Sequence, residues 1–252
     1  MPAENPVAKA AAPPDPQKIV LANDWLRTWV RPSHLEPQAM ADYGRRFNAQ
    51  PAPFLVIDHF LPDALAEQVS QFLAVEAKFR RSIGLYTAFG ECTLEAWEAA
   101  TEEQRFFSFR VLDESQWGDT LTPAASAYVR LRKAFGEPQF ADYFAKMTGL
   151  TLGYETEVGT HGLLPGDFLK THCDSGHNRM LAFLIYLTPG WRTEYGGALH
   201  LFDRDGVESP IEPLYNRLAI FDVIANRDHY VAQVTAPEGC NRLSLGGWFH
   251  NP

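Results

Sequence analysis

Cysteine is scarce in this 252-residue chain: Cys92, Cys173 and Cys240 are odd in number and far apart. That spacing excludes a disulfide framework and predicts a reducing compartment, the cytoplasm. Clustered positive charge is also missing. The net charge is −9 and no run of Lys and Arg occurs, which argues against a nucleic-acid partner, because phosphate binding needs grouped cations. No apolar run approaches the ~20 residues required to span a bilayer, so no membrane partner is expected. The opening MPAENPVAKAAAPPDP has no apolar stretch of the kind a secretory signal carries, and its Ala and Pro content predicts a disordered tail over 1–16. What is present is ordinary globular material, 46% hydrophobic and 21% charged, which supports neither a disordered nor a fibrous chain. The length suits one domain with a sizeable core.

The pattern changes near Thr151. Before it, helical spacing prevails: Leu65, Val69, Phe72 and Leu73 recur on one face behind Pro62 and Asp63, which predicts an amphipathic helix. Phe140, Tyr143, Phe144 and Met147 do the same between Pro138 and the stop signal Gly149. A further helix is expected over 123–134, and 54–57 reads as a short buried strand. Beyond Thr151 short apolar runs of strand type appear at 151–158, 167–172, 181–187, 198–202, 218–223, 230–234 and 243–249, separated by Gly-, Pro- and Asp-bearing turns. Seven short strands so spaced predict a barrel or a double-sheet jelly roll. The stretch 83–119 has neither period cleanly; 106–112 is a candidate strand within it, and its aromatic content suits a covering loop.

Within the strand-rich half, His172-Cys173-Asp174 is followed by His229 and, thirteen positions later, by Arg242. On an extended strand alternate side chains share a face, so His172 and Asp174 point together while Cys173 points away as a small buried hydrophobe. A lone His-x-Asp is common on surface strands. With a distant second imidazole it becomes a set of two His and one carboxylate that closes one face of an octahedral metal site and leaves positions open, the arrangement suited to Fe(II). Asp228 precedes His229 and falls on the opposite strand face. Arg242 adds a planar cation able to hold an anion through paired charge-assisted hydrogen bonds.

These residues resemble the metal and co-substrate residues of the Fe(II)/2-oxoglutarate-dependent dioxygenases, specifically the prolyl 4-hydroxylase-like group. Leu164-Pro165-Gly166-Asp167-Phe168-Leu169 resembles that group's approach strand, and Tyr186-Leu187-Thr188-Pro189-Gly190-Trp191 with Gly196-Gly197-Ala198-Leu199 resembles its next two. Arg242-Leu-Ser244-Leu-Gly-Gly247-Trp248-Phe249-His250 is most similar to the branch of ribosomal-protein prolyl hydroxylases, and Gly84-Leu85-Tyr86 is similar to it too. The resemblance covers 151–252 well, 53–119 thinly and 1–50 not at all. It implies a mostly β fold with flanking helices, a double-stranded β-helix (jelly roll) core supported by N-terminal α-helices. Residues 17–252 then form one catalytic domain, with 17–150 mainly helical support and lid and 151–252 the core. Members of that branch often carry a second, non-catalytic barrel, and no recognition role of such a barrel is carried over.

The resemblance further implies Fe(II) held by His172, Asp174 and His229, with 2-oxoglutarate and O2 consumed and ascorbate as an accessory cofactor. Arg242 and Tyr186, twelve residues after Asp174, are expected to hold the distal carboxylate of 2-oxoglutarate. Ser244 lies on Arg242's face by alternation and joins them. Asp174 fills the position that a halide would need, so hydroxylation is expected over halogenation. Arg179 resembles a position near the family's substrate entrance; His161 and His177 are rim candidates beside it, while His200 reads as a packed or exposed polar residue. The leading expectation is hydroxylation of a prolyl residue in a protein or peptide. Two others stay open: a small-molecule oxygenase acting on a free amino acid or peptide natural product, and a non-catalytic jelly-roll binding protein.

Overall fold

In chain order the elements are α1 (Pro37–Asn48), β1 (Phe54–Ile57), α2 (Asp63–Gln71), β2 (Phe79–Leu85), β3 (Gly90–Glu91), α3 (Leu94–Ala99), β4 (Arg105–Leu112), α4 (Pro123–Ala134), α5 (Pro138–Thr148), β5 (Thr156–Leu163), β6 (Phe168–His172), β7 (Arg179–Tyr186), β8 (Leu199–Phe202), β9 (Glu208–Ile211), β10 (Arg217–Asp222), β11 (His229–Val231) and β12 (Arg242–His250). The structure, a computed structural model, describes residues 24–49, 52–87, 90–116, 120–225 and 228–252; the tail expected over 1–16 lies outside them. Local chemistry sets the helix ends. The Thr122 hydroxyl accepts from the Ala125 amide at 3.0 Å and Pro123 opens α4, while α5 opens on Pro138 and closes on Gly149 at φ 79°.

Among the described residues twelve strands join one antiparallel sheet in the order β1-β10-β7-β12-β5-β4-β6-β11-β8-β9, with β2 and β3 attached beyond β4. From β5 onward the chain alternates between two halves: β5, β7, β10 and β12 form one, and β6, β8, β9 and β11 the other. That is a double-stranded β-helix, and β4 bridges its halves by pairing Arg110 with Gly162 on β5 and Phe107 with Leu169 on β6. Before Thr151 the expected strands 54–57 and 106–112 form as β1 and β4 beside the expected helices, and 83–119, read as a covering loop, carries the end of β2 together with β3, α3 and β4. Strand β2, Phe-Arg-Arg-Ser-Ile-Gly-Leu, shows no clean alternation because two arginines face out beside each other.

Alternation along the first half separates two cores. Leu181, Phe183 and Ile185 of β7, Leu218 and Ile220 of β10, and Leu243, Leu245 and Phe249 of β12 face the helices. There Phe183 stacks on Phe135 at 4.5 Å between centroids and Phe144 meets Phe249 at 5.3 Å. Truncating one of these fully buried rings to Ala costs about 3–5 kcal/mol. The intervening residues face the barrel interior, and several are small. Register places Gly159, Gly246, Leu184 and Ala219 in one row and Trp248, Ala182 and Phe221 in the next. Gly246 and Ala182, two of the smallest, border the space left in the middle of the barrel. The result is a cavity of about 270 Å³ walled by both halves.

Candidate metal centre and anion pocket

The two imidazoles come from paired strands: His172 of β6 and His229 of β11 are register partners, with ring centroids 4.1 Å apart. The His172 Nδ1 lies 2.9 Å from the Lys170 carbonyl. A carbonyl only accepts, so Nδ1 carries the proton and Nε2 keeps its lone pair toward the cavity. Edge contacts from Phe106 to His172 and from Phe221 to His229 restrict both rings.

Asp174 arrives differently from the way strand alternation predicts. β6 ends at His172, and Asp174 stands in the loop 173–178. Cys173 is accordingly exposed, its thiol against the Ser175 hydroxyl, rather than buried in a strand's second face. The Asp174 carboxylate nevertheless reaches both rings, 3.6 Å from His172 Nε2 and 3.2 Å from His229 Nε2. One donor atom from each of His172, Asp174 and His229 falls within 4.8 Å of the others.

Electrostatics favours a cation there. Burial, followed by the neighbouring His229, pushes His172 down to about 4, so its ring is neutral near pH 7. Burial opposes ionisation of Asp174, but the His229 contact, the two imidazoles and the Trp248 N–H outweigh it and hold the carboxyl below the usual range. Two imidazole nitrogens and one carboxylate converging in one cavity are a donor set that fits a divalent metal such as Fe(II).

Across the same cavity lies a row of polar groups on three strands. Ser244 of β12 is the register partner of both His161 on β5 and Tyr186 on β7, and Arg242 precedes it on the same face. Arg242 is 2% exposed. Its guanidinium sits 4.8 Å from the centre of the Tyr186 ring, yet Nε and Nη2 have no hydrogen-bond partner, and the buried Tyr186 hydroxyl has none either. No acidic side chain among the described residues lies within ion-pair range of Arg242. A buried cation without a counter-ion is costly, so the pocket is built to receive an anion. Gly197 secures the approach: at φ 73°, a Cβ there would lie 2.7 Å from Arg242 Cδ. The Gly196-Gly197 turn thus also makes room for the arginine stem. Burial and the adjacent Arg242 charge push His161 down to about 4, which keeps that wall neutral.

The cavity gathers His161, His172, Asp174, His229, Arg242 and Ser244; Tyr186 abuts it through Arg242. His161, expected at the rim, sits deeper, beside Ser244. Arg179 touches Asp174 Oδ1 at 3.8 Å. His177 is not brought in; it is exposed in the loop after Asp174 at φ 57°. His200 packs on Tyr230 outside the barrel, its Nδ1 2.5 Å from Glu208 Oε1. The residues the sequence reading missed are aromatic: Phe106, Phe107, Phe109 and Trp248 line the cavity. Period-two counting from Arg242 and Ser244 reaches Trp248 and is the signal that finds it.

The fold and site together define a double-stranded β-helix protein with a cluster of two histidines and one carboxylate that could hold a metal ion, beside a pocket lined by the buried Arg242. Residues 160–250, from within β5 to the end of β12, match the family model of the 2OG-Fe(II) oxygenase superfamily. The chain is 33% identical over 128 residues to prolyl 3-hydroxylase OGFOD1 of Mus musculus, covering 48% of this chain and 23% of that protein. It therefore spans about a quarter of the length of the curated relatives it matches. Among solved structures, a Pseudomonas putida prolyl-4-hydroxylase superposes with a TM-score of 0.55 at 23% identity, over 84% of this chain and 99% of that one. A Trichoplax adhaerens prolyl hydroxylase, solved with a peptide fragment of the hypoxia inducible factor oxygen degradation domain, gives 0.57 at 15% identity over 94% of each chain. At these identities the structural likeness shows the fold. No helix among the described residues is long and apolar enough to cross a membrane.

Proposed function

We propose that this chain is an Fe(II)- and 2-oxoglutarate-dependent oxygenase that hydroxylates a prolyl residue in a protein or peptide. The observation that carries the reading is the buried Arg242 guanidinium, which has no carboxylate partner among the described residues and two nitrogens without a hydrogen bond, in the same cavity as the His172, Asp174 and His229 donors. In it, His172, Asp174 and His229 hold the iron. Arg242, Tyr186 and Ser244 hold the far carboxylate of 2-oxoglutarate, the guanidinium as a fork and the two hydroxyls as further donors. Iron loaded with 2-oxoglutarate and O2 supplies the oxidising power that converts an unactivated C–H bond to C–OH, with succinate and CO2 released.

The chain's own residues orient these partners and keep the site dry. The Lys170 carbonyl fixes the tautomer of His172; Phe106 and Phe221 prevent ring rotation; neutral His161 avoids adding a second cation beside Arg242. The aromatic walls suit a prolyl ring, which is apolar and, in a peptide, lacks an N–H to satisfy. The relatives named as prolyl 3-hydroxylases support that substrate class. We take residues 17–252 as one catalytic unit, in which the helices and β1 to β4 brace and cover the barrel. The cytoplasm fits the three free cysteines, and the net charge of −9 favours a protein over a nucleic-acid substrate.

The test is mass spectrometry of a cell proteome incubated with the purified protein, Fe(II) and 2-oxoglutarate. Hydroxylated prolyl peptides, absent with the Asp174→Ala variant, are expected, and the fragment ions locate the carbon. No oxidised peptide, together with succinate release driven by a free amino acid, would replace this reading with a small-molecule oxygenase.

A further inference from the structure

Asp174 is the one donor of the three that no strand holds, for β6 stops at His172 and the loop 173–178 carries the carboxylate. Its orientation therefore has to come from side chains. The Trp248 Nε1–H donates to Asp174 Oδ2 at 2.9 Å. The indole is itself covered by Arg179, whose guanidinium carbon lies 3.6 Å from the ring centre. Arg179 Nη2 in turn donates to Glu157 Oε2 at 2.5 Å, while Nη1 stands 3.8 Å from Asp174 Oδ1. Glu157 and Trp248 are register partners across β5 and β12, and Arg179 opens the neighbouring β7. Three adjacent strands of one half thus reach across the barrel to a carboxylate on the other half's loop.

We infer that Trp248, clamped by Arg179 and Glu157, is the positioning residue of the metal centre. It fixes the rotamer of Asp174 by occupying a lone pair on Oδ2 and leaves the remaining carboxylate lone pairs to the metal. The inference rests on the metal-binding reading of His172, Asp174 and His229. Outer partners of this kind typically contribute 10- to 100-fold to metal affinity, because without them the ligand must be ordered when the metal arrives.

Co(II) titration of the full chain under anaerobic conditions, followed by its visible d–d absorption, separates the possibilities. Wild type is expected to bind one Co(II), and Asp174→Ala to lose most of that affinity; if wild type binds none, the metal-binding reading itself fails. Trp248→Phe keeps the ring and removes the N–H. It is expected to bind Co(II) about 10- to 100-fold more weakly, with an altered d–d spectrum and an unchanged melting temperature of the metal-free protein. Affinity within twofold of wild type and an identical spectrum would overturn the positioning role while leaving the metal centre intact. Should Trp248→Phe lower the melting temperature of the metal-free protein, Glu157→Gln decides. This substitution at a half-exposed carboxylate leaves the indole in place and loosens Arg179, so a several-fold weaker Co(II) affinity is expected, and wild-type affinity refutes the clamp.

Discussion

Replacing Arg242 with Met should make the metal-free protein more stable and its binding of 2-oxoglutarate far weaker. Met fills much of the arginine stem's volume and brings no charge. In the free protein Arg242 is 2% exposed, and two of its guanidinium nitrogens lack partners. An uncompensated buried ion costs several kcal/mol. The Tyr186 face, 4.8 Å away, offsets about 2 kcal/mol of that. The balance left for Met to relieve is about 1–3 kcal/mol, a rise in melting temperature of roughly 2–4 °C per kcal/mol for a chain of this size. Binding moves the other way. Losing one partner of a buried, hydrogen-bonded charge pair costs about 3–5 kcal/mol, a weakening of 2-oxoglutarate binding of roughly 150-fold or more. Scanning calorimetry of the free protein and isothermal titration with 2-oxoglutarate in the presence of Mn(II) read the two effects separately. A free Arg242→Met protein destabilised by more than about 2 kcal/mol would mean that the guanidinium is a structural member satisfied by its surroundings. Affinity within threefold of wild type would mean that it does not face the ligand. Either result refutes the anion-pocket reasoning.

Two smaller perturbations probe the same wall. Tyr186→Phe deletes a hydroxyl that has no partner in the free protein, so unfolding in urea should be unchanged, while 2-oxoglutarate binding weakens by about the worth of one hydrogen bond to a charged group, 1.5–3 kcal/mol. His161 titrates at about 4 in the folded chain against 6.5 for a free imidazole. The unfolded chain takes up that proton first, so the stability it confers is complete above pH ~6.5 and is lost as the pH falls toward 4, at up to about 1.4 kcal/mol per pH unit. His161→Gln should flatten the measured dependence of unfolding free energy on pH across that window; an unaltered slope would show that His161 does not resist protonation.

The helical and apolar parts of this fold are legible in the sequence because their burial is one-sided and periodic. The predicted face Phe140, Tyr143, Phe144 and Met147 is buried as expected in α5, and six of the seven predicted strands fall on β6, β7, β8, β10, β11 and β12 within a few residues. The exception is instructive. The first strand, expected over 151–158, runs instead as β5 over Thr156–Leu163, and its inward residues include Gly159 and His161. His161 lines the cavity and a Cβ at Gly159 would lie 3.2 Å from its ring, so these positions are polar and small where a packed core would show Val or Ile. Strand β9, Glu-Ser-Pro-Ile, is missed because an edge strand tolerates Pro and charge. In the site, His172, His229 and Arg242 are legible as donors on strands. The place of Asp174 is not: alternation puts it on β6, whereas the strand ends one ligand too soon, and the indole that holds it comes from 74 positions downstream.

The most direct test of the account is an anaerobic titration of the protein with Fe(II) and 2-oxoglutarate, followed in the visible for the metal-to-ligand charge-transfer band that appears when a 2-oxo acid chelates ferrous iron. Wild type should develop the band at one equivalent of each, His229→Ala should not, and Arg242→Met should develop it only at much higher 2-oxoglutarate. A wild-type protein that binds both without the band, or binds neither, would contradict the claim that these residues hold iron and 2-oxoglutarate in one cavity.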